Sequence, residues 1–369
     1  MMRDISDSLL SDKHYSWLCL RLIKGVGNST FLSLLDELGS PEEVFKTDLR
    51  ELVSLGLKKE VAKNIVQKNF LCDPEAEIKK IKEIGARLIL YNDSEYPKLL
   101  KEIDYPPVIL YALGKKIPED QFFISIVGSR NATPYGIRIA KQFSYTLANL
   151  GIGIVSGMAR GIDTYAHIGA IKGRGYTVAV LGSGLDVIYP KENKKLFQNI
   201  IENGTILSEF PLGTPPEAKN FPIRNRIISG MSKGVLVVEA TRRSGSLITA
   251  SFALNQGREV FAVPGSIESA NSKGTHYLIK QGAKLVEDIF DILEEFGIQQ
   301  KSKELKEDIK VKLSSQEKKI YECLSESPVH IDEIIRNTQM EASEVLSTLL
   351  KLEIKGIIKQ IPGKLFLRA

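Results

Sequence analysis

The segment from Lys219 to Gly230, KNFPIRNRIISG, concentrates cations around an aromatic side chain. Planar arginine side chains bind phosphates through paired hydrogen bonds, and stacking of an aromatic ring on an unpaired base contributes about 1–3 kcal/mol. This combination predicts a site for single-stranded nucleic acid, with the candidate residues Lys219, Phe221, Arg224, Asn225 and Arg226. The structural alternative is that Phe221 lies in the core and that the arginines pair with Glu209 or Glu239.

Two glycine-containing turns supply further candidates for anion binding. The first is GSRNATPYG, in which Pro134 suits the first turn of a helix whose free amides would face a ligand. The second is RRSGS, a turn that opens a helix in the manner of a phosphate cradle. Glycine permits close approach of the backbone to the ligand in both. The candidate residues are Gly128, Ser129, Arg130, Arg242, Arg243, Ser244 and Gly245.

A third turn, SGMARGIDTYAH, brings an acid and a histidine close together in sequence. Gly157 and Gly161 make room for the backbone, and Asp163 falls in the first turn of a helix, where a carboxylate satisfies free amides. His167 follows one turn later. No nucleophile accompanies the pair at a diagnostic spacing, so structural roles are favoured over acid–base catalysis.

Other motifs that would indicate cofactors or metals are missing from the sequence. The first turn is not GxGxxG, the second strand ends without a ribose-binding acid, and no GxxxxGK[ST] occurs. The four histidines show no metal-ligand spacing with each other or with cysteine. We therefore predict a site that holds anions, with no catalytic residue, no cofactor and no metal.

These turns follow short apolar runs that alternate with helical segments. Predicted strands are 122–127, 152–156, 177–181, 205–208, 235–238 and 260–263, and predicted helices are 134–149, 162–172, 191–202, 226–231, 247–256 and 274–282. Such alternation predicts parallel crossover units. The fold class is therefore α/β, with an extended Rossmann-like doubly wound sheet that places the turns at one edge.

The flanking regions have different patterns. Residues 1–76 are predicted to form a helical domain of the helix-hairpin-helix or SAM-like type, whose Gly25–Gly27 turn would either contact a DNA phosphate or only pack. The Rossmann-like domain spans 77–297, and the polar stretch 298–315 is interpreted as a linker. Residues 316–369 predict a winged-helix domain. Its recognition helix is acidic, which favours protein contact or dimer support over DNA reading.

Composition limits the class of protein. The chain has 369 residues, 43% of them hydrophobic, and a formal net charge of +5, too small for a binder that relies on bulk charge. Three scattered cysteines exclude a disulfide scaffold and fit a reducing compartment. No apolar stretch is long enough to span a membrane, and the N-terminal residues do not form a signal peptide. We expect a cytoplasmic protein without membrane association.

Taken in order, several motifs between about residues 80 and 290 resemble those of the DprA/Smf family of DNA-processing proteins. They are YPKLLKEIDYPPVILYALG, IVGSRNATPYG, SGMARGIDTYAH, LGSGLDVIYP, FPIRNRIISG, VVEATRRSGSLITA, VPG and GTHYLIKQGA. The helical N-terminal region and the winged-helix tail are arrangements also seen in that family.

The resemblance implies a non-catalytic protein that binds single-stranded DNA entering during natural transformation, protects it and loads the recombinase RecA onto it. It also implies a homodimer joined through the Rossmann-like domain, with the single-strand-binding protein as a further candidate partner. By motif, the family's DNA pocket falls on Arg130, Lys219, Phe221, Arg224, Asn225 and Arg226.

Two other functions fit anion-binding turns on such a sheet. One is a nucleotide phosphoribohydrolase, although VPGSIES retains only the first two residues of the PGGxGT signature of those enzymes. The other is a nucleotide-sensing module that regulates a partner without catalysis.

Overall fold

The computed structural model describes residues 12–298, 314–325, 327–354 and 357–368. They divide into two compact units, with the division between Ile292 and Leu293. The predicted linker, 298–315, lies almost entirely outside the described residues, and the finer boundary at 76/77 remains a prediction. No helix in the described ranges is long and apolar enough to cross a membrane.

The first unit begins with helices α1 (Asp12–Leu22), α2 (Asn28–Leu38), α3 (Pro41–Lys46), α4 (Leu49–Ser54), α5 (Lys59–Val66) and α6 (Pro74–Glu83). Ser40, Asp48 and Asp73 cap the third, fourth and sixth of these through their side-chain oxygens. Trp17 and Phe31 pack in the same hydrophobic core as Tyr111 and Ile206 of the sheet described next. The helical region is therefore attached to one face of that sheet.

Nine strands form the sheet in the described chain, in the order β1-β2-β6-β5-β4-β3-β7-β8-β9. They are β1 (Arg87–Leu90), β2 (Ile109–Gly114), β3 (Phe123–Val127), β4 (Gly153–Ser156), β5 (Thr177–Leu181), β6 (Thr205–Ser208), β7 (Gly234–Val237), β8 (Glu259–Ala262) and β9 (Lys284–Leu285). Strands β3 to β9 are mutually parallel, whereas β2 pairs antiparallel with both β1 and β6. The prediction of a doubly wound α/β sheet is confirmed, and β1, β2 and β9 are additions to it.

The remaining helices of this part of the chain are α7 (Lys98–Lys101), α8 (Pro134–Asn149), α9 (Ile162–Lys172), α10 (Lys194–Asn203), α11 (Asn220–Gly230), α12 (Gly245–Asn255), α13 (Lys273–Lys280) and α14 (Ile289–Glu295). Every residue of β3 and β5 is buried, as expected when helices cover both faces of a parallel sheet. The chain runs outward from β3 to β6 and returns to β7 on the other side of β3. This reversal is the switch point at which such sheets bind ligands.

The second unit has the winged-helix arrangement predicted from the sequence. Helices α15 (Ser315–Glu322), α16 (Ile331–Thr338) and α17 (Ala342–Ile354) accompany strands β10 (Val329–His330), β11 (Ile358–Ile361) and β12 (Leu365–Arg368). The last two strands form an antiparallel hairpin across Pro362 and Gly363. Ile320, Ile334, Leu349 and Phe366 build a separate hydrophobic core.

Candidate nucleic-acid interface

A cleft of about 670 Å³ lies beyond the carboxyl ends of β3 and β7, at the switch point of the sheet. Three segments supply most of its walls: the turn after β3, the first half of α11 and the turn after β7. Of the residues that the sequence proposed for DNA binding, this cleft brings together Gly128, Ser129, Arg130, Phe221, Arg224, Asn225, Arg243, Ser244 and Gly245.

Phe221 stands at the centre of the basic side of the cleft. The Arg130 guanidinium lies 5.0 Å from the centroid of its ring and the Arg224 guanidinium 5.8 Å from it. The ring is half-buried and rests over Gly182, where a Cβ atom would come within 2.9 Å of it. It is therefore not a core residue, and a planar aromatic surface flanked by two cations faces the cleft.

The basic segment is helical, although the residues before Arg226 lay outside the predicted helices. Helix α11 begins at Asn220, whereas the sequence placed the start at Arg226. Side chains three and four positions apart share a helix face, so Phe221, Arg224 and Asn225 all line the cleft. Lys219 precedes the helix, and Arg226 falls on a different face.

Arg224 forms the floor of the cleft and is only 3% exposed. Its Nη1 donates to the Val180 carbonyl oxygen over 2.6 Å, and its Nε has no hydrogen-bond partner among the described residues. Burial lowers the pKa of Arg224 to about 10, against the opposing effect of Asp163. The side chain thus stays cationic at neutral pH and contributes its charge to the cleft that it lines.

Asp163 lines the cleft next to Arg224, and His167 lies buried behind it. The Asp163 carboxylate accepts from the Ala159 amide over 3.4 Å, and burial raises its pKa although Arg224 and Arg130 act in the opposite direction. His167 is fully buried, its Nδ1 is 2.8 Å from the Thr177 hydroxyl oxygen, and burial lowers its pKa to about 3. A neutral, enclosed imidazole cannot reach a ligand in the cleft, which supports the structural role expected for His167. Asp163 is 6% exposed and lies in the cleft wall beside the Arg224 and Arg130 cations.

Arg226 does not line the cleft, contrary to its predicted place beside Arg224. Its guanidinium pairs with the Glu209 carboxylate at 2.5 Å and also donates to the Tyr105 carbonyl oxygen. The other Glu209 oxygen accepts from the Asn28 side chain over 2.6 Å. For Arg226 the structural alternative is therefore the observed one, because its side chain reaches Glu209, directly after β6, and Glu209 in turn contacts Asn28 at the start of α2.

Two more of the proposed cations lie outside the cleft. Lys219 is exposed and pairs with Glu217 at 2.7 Å. Arg242 is exposed, but the cleft lining includes its neighbour Arg243 and not Arg242 itself. Adjacent residues in a turn point in different directions, so only one of the two arginines faces the cleft.

The first turn of α8 is occupied by a carboxylate of the protein itself, which corrects the prediction that its amides face a ligand. Glu239 accepts from the Thr133 amide over 2.9 Å and from the Thr133 hydroxyl over 2.5 Å. At the start of α9, the Ile162 amide donates to the Ser129 carbonyl oxygen. By contrast, α12 begins with residues that line the cleft, and Ser244 caps it by accepting from the Ser246 amide.

The glycines 157 and 161 are required by close approaches behind the cleft. A Cβ atom at Gly161, where φ is +74°, would lie 2.2 Å from the Ser129 carbonyl oxygen. A Cβ atom at Gly157 would lie 1.9 Å from Arg224 Nη1. Both positions therefore hold the turn after β4 against the cleft floor.

Replacing Gly157 with alanine is expected to destabilise the first unit by about 1–3 kcal/mol, the usual cost of overpacking, because Arg224 must leave the Val180 carbonyl. The free energy of unfolding can be measured by denaturation monitored at the fluorescence of Trp17, the one tryptophan of the chain, which is buried in this unit. Gly245→Ala is the matched control, since nothing lies within 4 Å of its added Cβ. Equal stability of the two variants would contradict the conclusion that Gly157 is required by its close approach to Arg224.

Sequence reasoning missed Tyr189, which lines the cleft with its ring centroid 5.8 Å from that of Phe221. It follows β5, at the same sheet edge as the glycine-containing turns, and an aromatic side chain in that loop was the available signal. Asn271 was also missed. Its side chain donates to the Asn131 carbonyl oxygen over 2.9 Å and closes the wall next to the first turn.

A doubly wound sheet with a basic, aromatic cleft at its switch point, on a chain that also carries a winged-helix unit, defines a Rossmann-type protein of the DNA-processing class. The family model described as DNA recombination-mediator protein A matches residues 87–297, and that of the DprA winged helix domain matches residues 306–364. The chain belongs to the DprA/Smf family of DNA-processing proteins.

Relatives with known names agree with this membership. Protein Smf of Escherichia coli is 44% identical over 282 residues, which cover 73% of this chain and 75% of the relative. The DNA processing protein DprA of Bacillus subtilis is 44% identical over 222 residues, covering 59% and 75% respectively.

Two solved structures share the fold. The X-ray structure of DprA from Streptococcus pneumoniae matches with a TM-score of 0.66 and 36% identity, covering 77% of this chain and 98% of that one. A structure of DprA from Helicobacter pylori, which describes the single-stranded DNA binding mode of that protein, matches with a TM-score of 0.53 and 30% identity, covering 57% and 96%.

Proposed function

We propose that this protein binds single-stranded DNA in the cleft, protects incoming strands and loads RecA onto them during natural transformation and recombination, without catalysing a reaction. The observation that carries the DNA-binding part is the half-buried Phe221 ring between the Arg130 and Arg224 guanidinium groups. The cations bind the phosphates, and the ring stacks on an unpaired base, whose face is exposed. The single-stranded DNA binding of the H. pylori relative supports the same substrate.

The non-catalytic part of the proposal is supported by the groups nearest the cleft. The imidazole of His167 is enclosed, and the Asp163 carboxylate is buried with a raised pKa and bonded to the Ala159 amide. His167 is not placed as a general base toward a ligand, because proton transfer requires hydrogen-bond reach. Asp163 lines the cleft, where the Ala159 amide donates to its carboxylate and the Arg224 cation acts on it. RecA loading is inferred from family membership, and the cytoplasm is the compartment that RecA and incoming strands imply.

We also infer a homodimer through the Rossmann-like part of the chain. The sheet ends in the two-residue strand β9, and Leu285 on this strand is 41% exposed. Tyr277, on the neighbouring α13, is 51% exposed. A sheet edge with exposed apolar side chains is suited to pairing with a second copy. Two clefts on one strand would raise the effective concentration for the second contact.

The winged-helix unit is proposed to contact protein. Leu346 and Leu350 lie one turn apart on α17 and are 53% and 57% exposed. Glu344 lies on the same helix. A helix that reads a DNA groove presents basic and polar side chains instead. The single-strand-binding protein and a second copy are the candidate partners.

In a direct test, the full-length protein is titrated with a labelled poly-dT oligomer, a duplex of equal length and nucleoside monophosphates. Binding is measured by anisotropy and calorimetry. The poly-dT oligomer is expected to bind at least about tenfold more tightly than the others, because stacking and phosphate contacts accumulate along an unpaired strand. Equal binding of mononucleotides would instead support a nucleotide-sensing module. Release of free base from the monophosphates would support a phosphoribohydrolase.

A further inference from the structure

A second groove, of about 560 Å³, runs along the surface between α8 and α9. Ile137 and Tyr145 of α8 and Gly169 of α9 contribute its apolar lining, and Arg138, Lys141 and Lys172 contribute its cations. The two helices meet closely at Gly169, where a Cβ atom would lie 1.9 Å from the Ser144 hydroxyl oxygen. This close approach places cations of both helices along a single groove.

The cations of this groove have no carboxylate partner in the part of the chain that the structure describes. Among the described residues, no Asp or Glu lines the groove, and no ion pair involves Arg138, Lys141 or Lys172. Some other exposed cations of the same unit do have carboxylate partners, such as Arg160 with Glu192 and Lys98 with Asp120. The groove therefore has a local positive charge that an anionic ligand would neutralise.

Aromatic rings accompany these cations, as they do in the cleft. The Lys141 ammonium lies 4.6 Å from the ring centroid of Tyr165. The side chain of Tyr145, one turn further along α8, is 46% exposed. Cations next to exposed rings are the combination that non-specific single-strand binders use along the path of the backbone.

The groove and one wall of the cleft are lined by residues that lie three positions apart in the chain. Asn131 lines the cleft, and Pro134, the first residue of α8, lines the groove. From Pro134 to Tyr145 the helix extends about 17 Å at its normal rise per residue. Continuity with the cleft favours the same strand as occupant over an acidic peptide.

We propose that the groove between α8 and α9 binds the backbone of the single-stranded DNA segment that adjoins the one in the cleft, so that the binding path extends beyond the family pocket. This inference rests on the proposed function. The strand would leave the cleft beside Asn131 and place its phosphates near Arg138, Lys141 and Lys172.

The test compares Arg138→Gln/Lys172→Gln with Lys63→Gln/Lys79→Gln, a control that removes the same charge from exposed lysines outside the groove and the cleft. Each protein is titrated with poly-dT of about 5 and about 20 nucleotides. The first is close to the smallest single-strand site sizes, and the second is longer than the largest. The groove variant is expected to match the control on the short oligomer and to bind the long one about tenfold more weakly. Its salt slope should fall by about 1.4, which is 0.7 for each of two phosphates.

The outcomes separate this inference from the proposed function. Failure of the wild type to bind either oligomer would overturn the proposed function itself. Short-oligomer binding with no difference between the two double variants on the long oligomer would overturn the groove path alone. The same result combined with groove-dependent binding of an aspartate-rich peptide would assign the groove to a protein partner instead. Sedimentation of both variants checks that the oligomeric state is unchanged.

Discussion

Replacing Glu209 with alanine is expected to lower the free energy of unfolding of the first unit by about 3–5 kcal/mol, the usual cost of leaving a buried charge without its partner. Arg226 and Glu209 have side chains that are 11% and 5% exposed, so little solvent would replace the missing carboxylate. The Asn28 side chain, which donates to the same carboxylate, would be left without this acceptor as well. Denaturation followed by Trp17 fluorescence measures the change.

The chain offers a matched control for this experiment. Lys219 and Glu217 form an ion pair at 2.7 Å with side chains that are 76% and 47% exposed. Glu217→Ala should cost less than about 1 kcal/mol, because exposed pairs are screened. The double variant Glu209→Leu/Arg226→Met removes both buried charges and should be more stable than Glu209→Ala. Similar losses of unfolding free energy for Glu209→Ala and Glu217→Ala would show that the buried ion pair does not stabilise the fold.

Replacing Arg130 with alanine should weaken binding of a poly-dT oligomer by roughly 10- to 150-fold, the equivalent of about 1.5–3 kcal/mol for hydrogen bonds to a charged group. Arg130 is exposed in the turn after β3 and lies against the ring of Phe221. The slope of log affinity against log salt should fall by about 0.7 for each phosphate that the variant no longer binds. Anisotropy titrations at several salt concentrations measure both quantities.

Arg242 provides the control, because its replacement removes the same charge from an exposed arginine that does not line the cleft. Arg242→Ala is expected to change affinity far less than Arg130→Ala. Arg130→Lys should be intermediate, since lysine keeps the charge but not the planar pair of donors. Equal effects of the two alanine variants would mean that bulk charge, and not this cleft, accounts for binding.

Much of the fold follows from local sequence patterns. Apolar runs of strand length, each followed by a turn and a helical segment, located β3 to β8 to within a residue or two at their ends. There are physical reasons why the other strands were not predicted. β9 is only two residues long, and β1 and β2 add antiparallel pairing to an otherwise parallel sheet.

The sequence predicted the candidate site as a set of motifs. The fold decided which residues of those motifs line the cleft. Glycine-containing turns after parallel strands must meet at one edge of the sheet, so the sequence alone brought Arg130 and Ser244 into one region. It did not indicate that α11 begins at Asn220, and the phase of that helix decides which side chains face the cleft. Arg224 faces it, and Arg226 does not.

The sequence by itself thus determined the class of fold, the edge of the sheet at which the candidate site lies and the kinds of side chain present there. Only the tertiary structure decided that Arg226 pairs with Glu209, which also accepts from Asn28, and that Glu239 occupies the start of α8. The reason is the distance along the chain between the residues that interact. Periodicity and turn chemistry are local, whereas Asn28 and Glu209 are 181 residues apart and meet only when the helical region packs on the sheet.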